Sequence, residues 1–164
     1  MLFRSPGCSR TATTGTTGRC RPTSFALAVD TEHASILESI FGRWPSFHDA
    51  EILRLSLDRA DEEGPTLDVV VHVFEMTKEI DGKGFYVLKN HTEVTFRFTH
   101  VVLRRLQWFN HQNVRASLEV EELDPSVHEG RRFRVEMPSS YGMEAEFECR
   151  RAIVLNVQPF PPAA

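Results

Sequence analysis

Leu53-Arg54-Leu55-Ser56-Leu57-Asp58 alternates apolar with polar side chains, the period of two expected of a strand with one face in a core and the other in water. Asp61-Glu62-Glu63-Gly64-Pro65 follows as a turn, and residues 67–76 then run apolar enough for a strand buried on both faces. Together they predict a β-hairpin. The same pattern repeats outward from it. Asp81-Gly82-Lys83-Gly84 is a second turn, residues 92–99 set Val94, Phe96 and Phe98 on an inner face, and residues 101–108 read as extended. Residues 114–123 place Ala116, Leu118 and Val120 opposite Arg115, Ser117, Glu119 and Glu121, until Asp124-Pro125 ends the run. Residues 132–137 and 143–157 flank a loop at Pro138-Ser139-Ser140-Tyr141-Gly142. In the second of these runs Met143, Ala145, Phe147 and Cys149 share one face, and Glu144, Glu146 and Glu148 share the other.

Upstream of the hairpin the period changes. Ile36, Leu37, Ile40 and Phe41 recur at helical spacing, Gly42 supplies a stop, and Asp30 or Thr31 can cap, which predicts a helix over 31–41. Glu32 near its start favours the positive end of the helix dipole. The expected architecture is α+β: an N-terminal helix packed on a mostly antiparallel β-sheet of about seven strands.

The chain has 164 residues, of which 41% are hydrophobic, enough for one domain over 29–164. No apolar run approaches the roughly 18 residues that span a bilayer, so no membrane is expected as a partner. Nineteen Lys and Arg against 23 Asp and Glu give a net charge of −4, without the basic excess of a nucleic-acid binder. The charge is unevenly placed. Residues 1–28 carry Arg4, Arg10, Arg19 and Arg21 and no acid, leaving −8 on the remainder. That Thr-, Ser- and Gly-rich start is expected to be a disordered basic leader, whether a tail, a transit peptide or sequence ahead of the true start. Cys8 and Cys20 fall in it, so the lone body cysteine, Cys149, fits a reducing compartment and a place in the core.

The densest group of candidate functional residues is Trp44-Pro45-Ser46-Phe47-His48-Asp49-Ala50-Glu51, between the helix and the first strand. His48, Asp49 and Glu51 carry the groups a metal-dependent or acid/base hydrolase uses. The structural alternative has Ser46 and Asp49 satisfying backbone donors in a turn while Trp44 and Phe47 fasten the helix to the sheet. Neither a glycine-rich phosphate loop nor a nucleophile elbow supports an enzyme. The other histidines show no metal-site spacing, and no cofactor is expected. The carboxylates of Glu144, Glu146 and Glu148 form a stripe suited to steering a basic protein. A hairpin closing around 138–142 would instead set Arg134 opposite Glu146 and Arg132 opposite Glu148.

The chain resembles the immunity protein 50 family of bacterial polymorphic toxin systems. The resemblance is carried by Trp44-Pro45-Ser46-Phe47-His48-Asp49-Ala50-Glu51-Ile52, by Phe109-Asn110-His111-Gln112-Asn113-Val114, and by Tyr141-Gly142 followed by Phe147-Glu148-Cys149. It implies a non-enzymatic, cytoplasmic inhibitor whose partner is a cognate toxin domain, bound by direct contact. Candidate contact residues are His48, Asp49, Trp108, Phe109, Tyr141, Glu144, Glu146 and Glu148, with core packing expected for at least two of the three aromatics. The toxin and the oligomeric state are left open.

Overall fold

The computed structural model describes residues 31–161; the expected leader over 1–28 lies outside them. The elements in chain order are β1 (Thr31–Glu32), α1 (Ala34–Phe41), β2 (Glu51–Asp58), β3 (Thr66–Ile80), β4 (Tyr86–Thr99), β5 (Val102–Gln107), β6 (Val114–Arg115), β7 (Glu119–Glu122), β8 (Phe133–Met137), β9 (Ser139–Tyr141), β10 (Glu144–Cys149) and β11 (Arg151–Pro159). The fold is mostly β with one short helix. Among the described residues there are eleven strands, not about seven, in two sheets ordered β1-β11-β4-β3-β2-β6-β9 and β5-β10-β8-β7. Among the described residues only the β1–β11 pairing is parallel.

The higher count arises because runs that read as single strands turn corners. The chain passes from the larger sheet to the smaller between β4 and β5, at His100 in the left-handed region (φ 52°). It passes again between β6 and β7, so the expected 114–123 strand is broken at 116–118. It returns to the larger sheet at Pro138 and at Arg150, and the expected loop over 138–142 contains β9. Each corner lets one chain serve two layers.

The two sheets share one apolar cluster. Val69, Val71, Phe96 and Phe98 from the larger sheet meet Val135, Met137, Ala145 and Phe147 from the smaller. Phe98 and Phe147 touch edge to face with centroids 4.8 Å apart, each buried ring stabilising the fold by about 1.5–3 kcal/mol. Val94 and Cys149 lie in the same cluster, as their alternation indicated.

The β2–β3 hairpin forms, but with only Leu55 of the expected apolar face on the core. A bulge between Ile52 and Arg54 makes Leu53 the extra residue, so Ile52 and Leu55 both turn to the core side while Leu53 and Leu57 remain exposed. β3 is buried on both faces at Val69 and Val70. The helix starts at Ala34, later than expected, because Thr31 and Glu32 pair with β11 and His33 occupies the cap position with its ring turned to the Val154 carbonyl (3.3 Å) and not to the helix. Gly42 ends it with φ 71°, as the sequence indicated. Its buried residues are Ala34 and Leu37; Ile36 and Ile40 are exposed.

Candidate functional site

Three segments far apart in sequence meet where β2, β6 and β9 adjoin. Glu51 pairs with Val114, and Val114 with Tyr141. The backbone N–H of Asp49 donates to the Arg115 carbonyl (3.0 Å), that of Arg115 to the Ala50 carbonyl (2.9 Å), and that of Ile52 to the Asn113 carbonyl (2.9 Å). At the centre is the buried amide of Asn113. Its Oδ1 accepts from the backbone N–H of Asn110 (3.0 Å) and of Met143 (3.1 Å), while its Nδ2 donates to the Asn110 carbonyl (2.7 Å). Gly142 sits against it with φ 82°; a Cβ there would overlap the Gln112 carbonyl oxygen and lie 2.9 Å from Asn113 Oδ1. Only glycine fits both the space and the backbone angle.

This junction holds side chains in costly conformations. Phe47, Asp49 and Trp108 all have positive φ (55°, 62° and 56°), which costs an L-residue about 1–2 kcal/mol. Phe47 is buried and packs on Trp44 (5.5 Å) and Phe96 (5.7 Å), which ties the 44–51 segment to β4. Ser46 Oγ accepts from the His48 N–H at 3.4 Å, but the Asp49 carboxylate turns to the His48 ring, Nδ1 to Oδ2 2.9 Å. The pair is open to solvent, and it lines neither the cavity beside Phe47 and Arg115 nor the one beside Leu57 and Leu103.

Trp108, Phe109 and Tyr141 are 66%, 52% and 53% exposed, so the expectation of core packing is overturned. Trp108 and Phe109 follow the end of β5, where Gln107 is opposite Glu144, and Asn110 Nδ2 donates to the Trp108 carbonyl (3.0 Å). The network around Asn113 therefore anchors both the 108–110 loop and the 141–143 turn.

The expected carboxylate stripe divides. The β8–β10 register sets Glu146 opposite Glu136 and Glu148 opposite Arg134, two residues from the expected pairing, because Ser139–Tyr141 forms β9 and the connection is no simple loop. Glu148 is 1% exposed and accepts from Arg104 (3.2 Å), Arg131 (3.1 Å) and Arg134 (3.2 Å), with His128 Nδ1 3.4 Å away. Burial alone would raise its pKa, but the hydrogen bonds from the three arginines outweigh it and hold the carboxyl at about 2. Glu148 is therefore a structural counter-ion and is removed from the surface. Glu144 and Glu146 face Arg105 at 4.0 and 3.8 Å. Across the strands the register instead builds an acidic row, Glu119 opposite Glu136 and Glu136 opposite Glu146.

A family model for immunity protein 50 matches residues 33–160. The chain belongs to the immunity protein 50 family. Searches of curated proteins and of solved structures returned no match.

In this immunity protein 50 family member, the strings 44–52, 109–114 and 141–142 that carried the resemblance are the strands and loops of the Asn113 junction, while Phe147-Glu148-Cys149 supplies the core contact and the arginine-bound carboxylate. Sequence reasoning missed Arg115, although it directly follows the second string. Arg115 is 2% exposed; its Nη1 donates to the Met137 carbonyl, and its Nε and Nη2 have no hydrogen-bond partner. Burial pulls its pKa down to about 10, which leaves it charged at neutral pH. It lines a cavity of about 20 Å³ with Phe47, Ile52, Phe96 and Met137. The fold also brings together two histidines that no spacing suggested. His72 Nε2 and His91 Nδ1 are 3.0 Å apart across β3 and β4, with the Phe160 ring stacked on His72 at 3.7 Å. Among the described residues, no group of three or more His, Cys, Asp or Glu side chains is arranged to hold a metal ion.

Proposed function

We propose that this protein neutralises a cognate toxin domain by direct contact in the cytoplasm of the producing cell, through the aromatic surface at the Asn113 junction and the acidic face beside it. The observation that carries the reading is Trp108. Two-thirds of this large apolar residue is in water, on a backbone angle that costs energy, and it is held there by Asn110. A fold that stabilises an exposed, strained indole presents it for a contact. Phe109 and Tyr141, anchored to the same network, would complete a central aromatic cluster, with His48 and Asp49 at its margin. The row of Glu119, Glu136 and Glu146 supplies a polar rim with a negative field. Like charges opposite one another on a sheet are locally unfavourable, and a basic protein partner would relieve them.

The test is calorimetric titration of the protein with an inactivated toxin domain encoded beside it. Trp108→Ala and Tyr141→Ala are each expected to weaken binding by about 2 kcal/mol, roughly 30-fold, without changing stability. Glu136→Lys is expected to lower the association rate and flatten its salt dependence. Full affinity in both aromatic variants would overturn the assignment of this surface, and absence of any complex would overturn the toxin reading.

A further inference from the structure

β3 and β4 run far beyond the sheet that contains them. β2 accompanies β3 only from Thr66 to His72, and β11 accompanies β4 only from Thr92 to Thr99. From 75 to 91 only Thr77 and Val87 are even half-buried. The distal hairpin is thus a two-stranded ribbon in solvent. Its tip is set by Asp81, whose Oδ1 accepts from the N–H groups of Lys83 (2.8 Å) and Phe85 (2.9 Å).

The ribbon has two unlike faces. Register pairs Met76 with Leu88 and Ile80 with Tyr86, and all four are exposed. Tyr86 and Leu88 are two residues apart on one strand, so these four side chains form one apolar face. The other face is polar and internally satisfied: Glu75 is opposite Lys89, Lys89 Nζ bonds Glu79 (3.2 Å), and Asn90 Nδ2 bonds Glu75 (3.0 Å). An isolated two-stranded hairpin is marginal in water, and an uncovered apolar face on one marks a contact surface.

Charge selects the occupant. All three lysines of the chain, Lys78, Lys83 and Lys89, lie in this ribbon and balance Glu75, Glu79 and Asp81. The rest of residues 31–161 holds twelve arginines against nineteen acids. A basic partner drawn by the acidic body would find no attraction at the neutral ribbon. Two copies of the acidic body repel, and the ribbon is where they can approach with least cost. Lysines along open strand edges also block unlimited strand addition, leaving a closed face-to-face contact available.

We propose that the apolar faces of two ribbons pack on each other across a two-fold axis, making the protein a dimer of its own copies, with the junction surface free on each. A ribbon about 25 Å long and about 10 Å wide offers about 250 Å² per copy, well under the roughly 800 Å² per partner of a standard interface, so the dimer is a weak, transient one that forms only towards high concentration. Sedimentation of the full chain across about 1 to 200 µM is expected to show a concentration-dependent monomer–dimer transition. Ile80→Lys and Leu88→Lys are each expected to raise the dissociation constant at least about 10-fold, with the circular dichroism spectrum and unfolding midpoint of the core unchanged. Met76→Gln is the milder check should either lysine variant fail to fold. A wild type that is monomeric throughout overturns the proposal, as does a dimer indifferent to a folded Leu88→Lys or Met76→Gln. A monomer whose toxin affinity falls on Leu88→Lys would overturn it in favour of the toxin at the ribbon. The proposal is independent of the toxin reading, since a dimer that binds no toxin satisfies it.

Discussion

Glu148→Gln removes one negative charge from a buried site and leaves the side-chain shape almost unchanged. In the wild type the carboxylate faces Arg104, Arg131 and Arg134 at 3.1–3.2 Å and has a pKa of about 2 against an ordinary 4.5. A depressed carboxylate pKa contributes stability that is fully present above the unfolded value and is lost as pH falls through the folded one. The shift corresponds to about 3 kcal/mol, which agrees with the 3–5 kcal/mol typical of breaking a buried ion pair. Arg104 and Arg134 are partly exposed and can rehydrate, which places the expected loss near the lower figure. Urea unfolding of wild type and variant should therefore differ by about 3 kcal/mol at pH 7, and the gap should narrow as pH falls from about 4.5 towards 2. Taking the difference between the two proteins removes the titration of the other acids. A gap below about 0.5 kcal/mol at pH 7, or one that stays constant down to pH 2, would refute the account of Glu148 as the counter-ion of the three arginines.

Gly142→Ala is expected to destabilise the fold by about 2–4 kcal/mol, because the added Cβ meets a backbone oxygen and the residue is held at φ 82°; thermal unfolding would read it directly. Arg115→Met has the opposite expected sign. It exchanges a buried cation with two unpartnered nitrogens for an apolar chain of similar length, so chemical denaturation should show stability raised by about 1 kcal/mol despite the loss of the bond to Met137.

Much of the strand content was legible because its patterning is local. The turn at 81–84, the inner face of Val94, Phe96 and Phe98, the core position of Cys149 and the stop at Gly42 all follow from neighbours in sequence. The corners were not legible. Nothing in His100 or in 116–118 announces that the next few residues hydrogen-bond to the other sheet, and a bulge of one residue at Leu53 leaves Leu55 on the expected core side but takes Leu53 off it. Glu148 failed for a related reason: alternation with Phe147 and Cys149 puts it on the face opposite the core, which for most glutamates means water. Its burial depends on Arg104, Arg131 and Arg134, which no periodic pattern connects. Trp108 failed in the reverse direction, because large apolar residues are assigned to cores by default.

The candidate site is therefore distinguished by local conflicts that the surrounding fold resolves. An exposed tryptophan at positive φ, a buried arginine with unpartnered nitrogens and a glycine against a carbonyl oxygen are each unfavourable alone: Gly142 lies against the Asn113 amide, Trp108 is tied to it through Asn110, and Arg115 is two residues further along the chain. Departures of this kind from local consistency are expected at functional sites. Between the two sheets the protein is locally consistent, with a filled apolar cluster, and elsewhere a buried carboxylate is neutralised by three arginines and a hairpin tip is capped by its own aspartate. On the proposed reading the rest of the fold would supply the rigidity that holds Trp108, Phe109 and Tyr141 ready for a partner.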